Sequence, residues 1–195
     1  MTLYTRRGDT GTTSLADGTC VGKNDLRVEA YGAVDEANCA VGLALAATDD
    51  QLLGTWLVFL QQRLFNCSAS LADPTDAASA PDSDGVTAVE TAIDRLEAGS
   101  AVLRGFVLPG GCETAARLDV ARATVRRAER CTDALAATQP VEPTVLAFLN
   151  RASDLLFAAA RYANTLAGTP ERLWDASAPE PEPRPAREHE PGGSV

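Results

Sequence analysis

Four arginines crowd one short segment of an acidic chain, whose 195 residues carry a formal net charge of −10. The segment reads VARATVRRAERC at 120–131, a helical pattern in which Arg122, Arg126 and Arg130 are spaced four residues apart. That spacing places the three guanidinium groups on one stripe of a helix. Their planar forks suit phosphate oxygens, so the stripe could hold a polyphosphate. The alternative is a solvated face whose arginines pair with neighbouring acids, each pair contributing about 0.3–0.5 kcal/mol.

A stretch rich in glycine and threonine, YTRRGDTGTTSL at 4–15, is the second candidate for anion binding. Gly8 and Gly11 permit positive φ and close backbone approach, and successive N–H groups in such a turn can surround an anion. The only lysine, Lys23, follows nine residues after Ser14. The stretch matches neither a Walker A loop nor the dinucleotide-binding glycine pattern. A phosphate cradle and a flexible loop are therefore equal alternatives here.

Two further residues could contact a ligand. Phe106 lies in the segment FVLPGG, whose PGG predicts a turn; the pattern favours a phenylalanine that anchors this loop in the protein core. Asn150 falls inside a helical pattern, where asparagine is mildly unfavourable, so its side chain could reach a ligand or face water.

Several kinds of chemistry are excluded by the composition. The one histidine, His189, lies near the C-terminus, so a Ser–His or Cys–His pair and an imidazole metal cluster are excluded from the core. The five cysteines are widely spread without a CxxC pair, which favours small core residues over a zinc site.

The overall composition favours a cytoplasmic protein, since we find no secretion signal and no apolar run long enough to cross a bilayer. The acidity argues against nucleic acid as a ligand. Sixteen arginines against one lysine, together with 27 acidic residues, indicate adaptation to a salty cytoplasm, although a GC-rich genome would also favour arginine.

Apolar residues repeat with a helical period in five stretches, and none alternates convincingly with the period of a strand. Residues 1–24 are predicted to be an ordered loop that forms a single domain with a helical region at 25–172. A polar linker is expected at 73–85, and the Pro/Glu-rich tail at 173–195 is predicted to be disordered. The architecture predicted is an all-α, up-and-down five-helix bundle. Its helices are expected at about 24–48, 49–72, 86–98, 113–137 and 143–168.

Five stretches together resemble a known family. YTRRGDTGTTSL, KNDLRVEAYGAVDEAN, FVLPGG, ARATVRRAER and LNRASDLLFAAAR occur in the order and spacing of the PduO-type ATP:cob(I)alamin adenosyltransferases, over about 3–167. The resemblance implies a homotrimer of five-helix bundles with active sites between subunits. It also implies transfer of the 5′-deoxyadenosyl group of ATP, with Mg²⁺, to the cobalt of a reduced corrinoid such as cobalamin. Triphosphate and adenosylcobalamin are the products, and a corrinoid reductase is a possible partner.

The resemblance also implies which residues form the site. Those that would surround the triphosphate are Thr5, Arg7, Gly8, Asp9, Thr10, Gly11, Thr12, Thr13, Ser14 and Lys23. Those that match the family's other nucleotide contacts are Arg126, Arg127, Glu129, Arg130 and Asn150.

The remaining implied roles concern the subunit boundary and the corrinoid. Asp35 would pair with Arg122 across the boundary between subunits. Phe106 would lie beneath the corrin and displace its lower ligand, leaving a four-coordinate Co(II) that is less difficult to reduce. The predicted catalytic residues are therefore Asp35, Phe106, Arg122 and Arg126.

The sequence departs from the family pattern at two positions. It reads LDVAR where the family often has LHxAR. This places Asp119 near Arg122, where it could compete with Asp35 for the Arg122 guanidinium. It reads VDEAN in place of the commoner VDELN, a change expected to affect packing more than chemistry. Two other functions stay open as alternatives: a corrinoid or nucleotide carrier that does not cleave ATP, and a purely structural bundle.

Overall fold

The computed structural model describes Tyr4, Arg6, 8–73, Thr75 and 77–180 of the chain. The predicted all-α, five-helix bundle is confirmed. Its helices are α1 (Leu26–Leu45), α2 (Gln51–Ala72), α3 (Ser83–Ala98), α4 (Glu113–Ala136) and α5 (Pro143–Leu166). A single 3₁₀ turn, Ala77–Ser79, lies between α2 and α3.

Three helices begin at an aspartate whose side chain accepts a hydrogen bond from a main-chain N–H of the first turn. Asp25 caps α1, Asp50 caps α2 and Asp82 caps α3, each at 2.8 Å. These bonds satisfy amides that have no partner inside the helix. The cap at Asp82 explains why α3 begins at Ser83, three residues before the predicted start. Gly168, predicted to end the fifth helix, follows the C-cap residue with φ of 62°.

The N-terminal loop contains a small hairpin that was not predicted from the sequence. Strand β1 (Thr12–Ser14) pairs antiparallel with β2 (Cys20–Gly22), with Thr13 opposite Val21. Three residues are too few for a period-two pattern to be recognised. The main-chain N–H of Ala16 donates to the carbonyl of Ala72, which attaches the hairpin to the end of α2.

The helices pack in an order that differs from their order in the chain. Helix α1 packs on α2 and on α4, α4 packs on α5, and α5 packs on α3. The core between them is apolar and rich in leucine and alanine, with Phe148 its largest fully buried side chain. The buried Arg27 donates to the carbonyls of Leu71 and Pro140, so it joins the start of α1 to the end of α2 and to the loop between α4 and α5. The apolar core and the hydrogen bonds of Arg27 thus determine which faces of the helices pack together.

The cysteines divide between core and surface. Cys67 is buried, as predicted, and burial raises the pKa of its thiol. Cys20 and Cys39 are exposed, so the expectation that the cysteines are core residues is wrong for these two. In the described ranges no group of three or more His, Cys, Asp or Glu side chains could hold a metal ion.

The chain after α5 turns back onto the loop between α3 and α4. Val107 and Leu173 form an antiparallel bridge, and the N–H of Trp174 donates to the carbonyl of Phe106 at 2.7 Å. The sequence placed the start of a disordered tail at 173, whereas Leu173 and Trp174 are paired here because the loop offers them free main-chain groups. His189 lies outside the described residues. None of the helices that the structure describes has the length and apolar character needed to cross a membrane.

Candidate functional site

A cleft of about 380 Å³ opens between α4 and α5, and four of the predicted nucleotide-binding residues line it. Its lining consists of Arg126, Glu129, Arg130, Asp133, Leu146 and Asn150. The four-residue spacing on α4 brings Arg126 and Arg130 to one wall, as the periodicity predicted. Asn150 comes from the facing wall, so the cleft depends on the packing of α5 against α4.

The lining of the cleft holds two arginines and two acids, Glu129 and Asp133, but the two guanidinium groups form no direct ion pair with them. Arg126 and Arg130 are exposed, and neither forms an ion pair with any described acid. Arg130 donates to the main-chain carbonyl of Arg126 at 2.9 Å. The amide of Asn150 donates to Glu129 Oε1 at 3.0 Å, which directs that carboxylate toward α5. Two guanidinium groups are therefore available to a polyanion.

Arg127 lies on a different face of the same helix. Its guanidinium pairs with Glu29 at 2.6 Å and with Glu36 at 3.1 Å, both on α1. One step along a helix rotates a side chain by about 100°, which turns Arg127 away from the cleft. The ion-paired alternative therefore describes Arg127, which pairs with α1, and Arg122, which pairs with Asp119 along the helix, whereas Arg126 and Arg130 have no such pair.

Arg122 is held within its own helix by the residue that departs from the family pattern. Asp119 Oδ1 accepts from Arg122 Nε at 3.2 Å, and Asp119 Oδ2 accepts from the N–H of Gly110 at 2.8 Å. The Arg122 guanidinium lies 6.0 Å from the ring centroid of Phe157. Asp35 is exposed on α1, and among the described residues it has no ion pair. Asp119 therefore pairs with Arg122 within the chain, and pairing of Arg122 with Asp35 of another subunit stays a prediction.

The N-terminal loop presents backbone amides and one amine near each other. Lys23 donates its main-chain N–H to the carbonyl of Gly11, which has φ of 85°. A Cβ placed on Gly8 would lie 3.3 Å from Lys23 Nζ, so the amine lies directly beside this glycine. The intervening predicted residues are Asp9, Thr10, Thr12, Thr13 and Ser14, the last three in β1. Thr5 and Arg7 lie outside the described residues.

The loop and the cleft are not joined to each other in this chain. Across the parts of the chain that the structure covers, no hydrogen bond or ion pair connects residues 8–24 with the lining of the cleft. The predicted triphosphate loop and the predicted arginine contacts are therefore two separate patches.

Phe106 is 80% exposed, so the expectation that it anchors its loop in the core is wrong. The anchor is Asn164 on α5, which is buried; its Nδ2 donates to the carbonyl of Gly110 and its Oδ1 accepts from the N–H of Cys112, both at 2.9 Å. A Cβ on Gly111 would overlap the Asn164 amide, which explains the glycine. With the turn held in this way, the Phe106 side chain is free to project outward.

The residues that position this loop were not predicted from the sequence. Besides Asn164, the buried Arg161 donates to the carbonyl of Ala101 at 2.6 Å and pairs with Glu171 at 2.8 Å. Two polar residues one turn apart on the apolar face of a predicted helix were the available signal, because buried polar groups need partners. Trp174, whose ring contacts Phe106, carried no such signal.

Unpaired guanidinium groups in a cleft of a five-helix bundle, together with an exposed aromatic ring on a loop held by hydrogen bonds, define an all-α protein equipped to bind a polyanion. The chain belongs to the cobalamin adenosyltransferase family, whose model matches residues 3–163. It is 41% identical over 183 residues to a corrinoid adenosyltransferase of Bacillus subtilis, covering 91% of this chain and 94% of that protein. It is 45% identical over 165 residues to the corrinoid adenosyltransferase PduO of Salmonella typhimurium, covering 83% of this chain. The match spans only 49% of that longer relative.

Solved structures of one relative share the fold. A Phe-to-Ala variant of a PduO-type ATP:corrinoid adenosyltransferase from Lactobacillus reuteri, complexed with cobalamin and ATP, superposes with a TM-score of 0.83 at 38% identity. The alignment covers 89% of this chain and 99% of that one. An Arg-to-Lys variant complexed with ATP gives a TM-score of 0.84 at 39% identity, covering 89% and 100%.

Proposed function

We propose that this chain transfers the 5′-deoxyadenosyl group of ATP to the cobalt of cob(I)alamin or a related reduced corrinoid. Triphosphate leaves and adenosylcobalamin forms. The observation that carries the proposal is the cleft in which Arg126 and Arg130 have no carboxylate partner, in a chain that belongs to the cobalamin adenosyltransferase family.

The reaction asks for charge stabilisation and positioning rather than for a protein base. Co(I) donates an electron pair to C5′ of ATP, the C5′–O bond breaks, and its electron pair leaves with the triphosphate. No proton moves from a side chain, so the chemistry proceeds without imidazole. The protein must hold C5′ against cobalt and stabilise the charge that develops on the departing oxygen.

The arginines of α4 and the N-terminal loop would each contact a different part of the triphosphate. Arg126 and Arg130 hold phosphate oxygens in the cleft, and Asn150 with Glu129 orients the nucleotide. Lys23 and the amides around Gly8 and Gly11 surround the rest of the triphosphate. Mg²⁺ would bind together with ATP, coordinated by its phosphates. Mg²⁺ is commonly bound through substrate phosphates rather than by protein ligands alone.

Phe106 would serve the corrinoid. Its exposed ring lies on a loop held at both ends, and an apolar side chain beneath the corrin displaces the lower ligand without replacing it. The four-coordinate Co(II) that results accepts an electron more readily, so a separate corrinoid reductase can supply Co(I). A cytoplasmic location, where such a reductase operates, is part of the proposal.

The proposal includes a homotrimer with sites between subunits, which would account for this division of roles. The loop and the cleft do not touch within one chain, so a neighbouring copy can bring them together. Asp35 is exposed and available to Arg122 of another subunit. Arg127, paired with α1, contributes by holding α1 against α4.

One assay tests the proposal against its alternatives. Purified protein is mixed anaerobically with ATP, Mg²⁺ and chemically reduced cobalamin, and the visible spectrum and free triphosphate are followed. We expect light-sensitive adenosylcobalamin and one triphosphate for each corrinoid converted. A spectral shift without triphosphate would indicate a carrier, and no spectral change would indicate a structural bundle; either result overturns the proposal.

A further inference from the structure

Asp119 contacts two different parts of the proposed site with its two carboxylate oxygens. Oδ2 accepts from the main-chain N–H of Gly110 at 2.8 Å, and Oδ1 accepts from Arg122 Nε at 3.2 Å. The Asp119 side chain is only 12% exposed, so water competes little for either contact. One carboxylate on α4 thus joins the loop that carries Phe106 to the arginine that is predicted to reach another subunit.

The Arg122 guanidinium is held on one edge and on one face. Its Nε donates to Asp119, and its face lies 6.0 Å from the ring centroid of Phe157 on α5. Among the described residues, the two terminal nitrogens of Arg122 make no hydrogen bond. A guanidinium carries five N–H donors in a rigid fork, so its terminal edge can still bind a second carboxylate at two points. Asp119 therefore fixes Arg122 without occupying the edge that another subunit would need.

Two effects of Asp119 on an ion pair between subunits oppose each other. Its negative charge weakens the attraction of Arg122 for Asp35. Its hydrogen bond also restricts a long side chain, whose immobilisation would otherwise oppose association. The bond from Gly110 holds the Asp119 carboxylate in place, so Asp119 cannot follow Arg122 into other rotamers. Because Asp119 makes only one bond, at 3.2 Å, and leaves the terminal edge open, orientation should outweigh competition.

We infer that Asp119 is a positioning residue that links the subunit boundary to the Phe106 loop: it orients the terminal edge of Arg122 for Asp35 of another subunit while it holds Gly110. The inference rests on the proposed function and its homotrimer. It predicts a sign that competition does not. Removing a competitor would tighten the association of subunits, whereas removing a positioning residue weakens it.

The sign is measured on the full-length Asp119→Ala variant by sedimentation over a dilution series. We expect half-dissociation of the oligomer at a protein concentration about 3- to 10-fold higher than for the wild type, the effect of leaving one long side chain to be immobilised on association. Asp119→Asn keeps the size of the side chain but has one acceptor oxygen, so it should shift this midpoint in the same direction by less. An unchanged or lower midpoint in both variants would overturn the orienting role.

A double-mutant cycle separates orientation of Arg122 from general stabilisation of the fold. If Asp119 acts through Arg122, then Asp119→Ala should change the dissociation midpoint by less than about twofold in a chain that already carries Arg122→Ala. A residue that only stabilised the fold would shift the midpoint equally in both backgrounds, and that result would contradict the inference.

The bond to Gly110 predicts a selective kinetic effect. Without its acceptor the Phe106 loop is held less firmly, so Asp119→Ala should raise KM for cob(I)alamin by about 3- to 10-fold and KM for ATP by less than about twofold. The matched control is Glu113→Gln, which removes another ion pair within α4, that of Glu113 with Arg117. It should leave the midpoint and both KM values unchanged.

Equal rises of the two KM values in Asp119→Ala, or the same changes in Glu113→Gln, would remove Asp119 from this role. Failure of the proposed function is a separate outcome. In that case the wild-type protein would not convert cob(I)alamin, while sedimentation would still report the sign of the effect of Asp119 on subunit association.

Discussion

At the scale of single residues, the positions of the arginines on α4 decide what each can do. Arg122 is held by Asp119, Arg127 by two acids of α1, and only Arg126 and Arg130 face the cleft without a carboxylate partner. The spacing in the sequence predicted the stripe correctly. It could not tell which arginines would be neutralised, because Glu29 and Glu36 are about 90–100 residues away in sequence and meet Arg127 only through helix packing.

Arg126→Ala should lower the rate of adenosyl transfer by about 10²–10³-fold, since removing one donor to a developing charge costs that much in other enzymes. The rate is measured with saturating ATP and preformed cob(I)alamin. Arg95→Ala is the control, because Arg95 is exposed on α3 and lies outside the cleft. Near-wild-type turnover by Arg126→Ala would remove this residue from the site.

At the scale of elements, the loop that carries Phe106 depends on α4 and α5. Asp119 accepts from Gly110, and Asn164 bonds both Gly110 and Cys112. The PGG turn was predictable from the sequence, as were the five helices, because each has a local signal. The exposure of Phe106 was not predictable, because the loop is anchored instead by the buried Asn164, more than fifty residues away in sequence.

Two adjacent glycines offer a matched test of this anchoring. Gly110 and Gly111 have φ of 128° and 115°, so alanine is strained by about 1–3 kcal/mol at either position. Only at Gly111 would the new Cβ also collide with Asn164, whereas at Gly110 it meets nothing within 4 Å. Gly111→Ala should therefore lower the Tm more than Gly110→Ala, and raise KM for the corrinoid more than KM for ATP. Thermal unfolding and steady-state kinetics measure both, and equal effects of the two substitutions would contradict the anchoring role.

At the scale of the whole molecule, assembly is expected to determine activity and net charge is expected to determine how stability depends on salt. The predicted trimer requires Asp35 of one subunit and Arg122 of another. Co-expression of Asp35→Asn with Arg122→Ala chains should then restore activity that neither variant has alone. With random mixing in a closed ring, about a quarter of the interfaces would combine both native residues. Activity of the purified mixture, at a mass measured by light scattering, checks the prediction; a mixture as inactive as its components would argue against a shared site.

The net charge of −10 predicts a dependence of stability on salt. Repulsion between like charges is screened within about 3 Å at 1 M salt, so the free energy of unfolding should be larger in molar KCl than in 50 mM KCl. Denaturant unfolding at the two concentrations measures it. Equal stability would show that the arginine bias reflects codon composition rather than adaptation to salt.

Helix α4 runs without interruption from the aromatic loop, which it grips through Asp119, to the cleft, which it lines with Arg126 and Arg130. If the loop binds the corrinoid and the cleft binds ATP, as we propose, the length of α4 sets the distance between the two substrates. Adding or deleting one residue between Asp119 and Arg126 would swing the guanidinium groups by about 100° and shift them by about 1.5 Å while leaving the loop in place. Exposed side chains of this stretch, such as Val120 and Ala123, can therefore diverge among relatives, whereas the number of residues in it cannot.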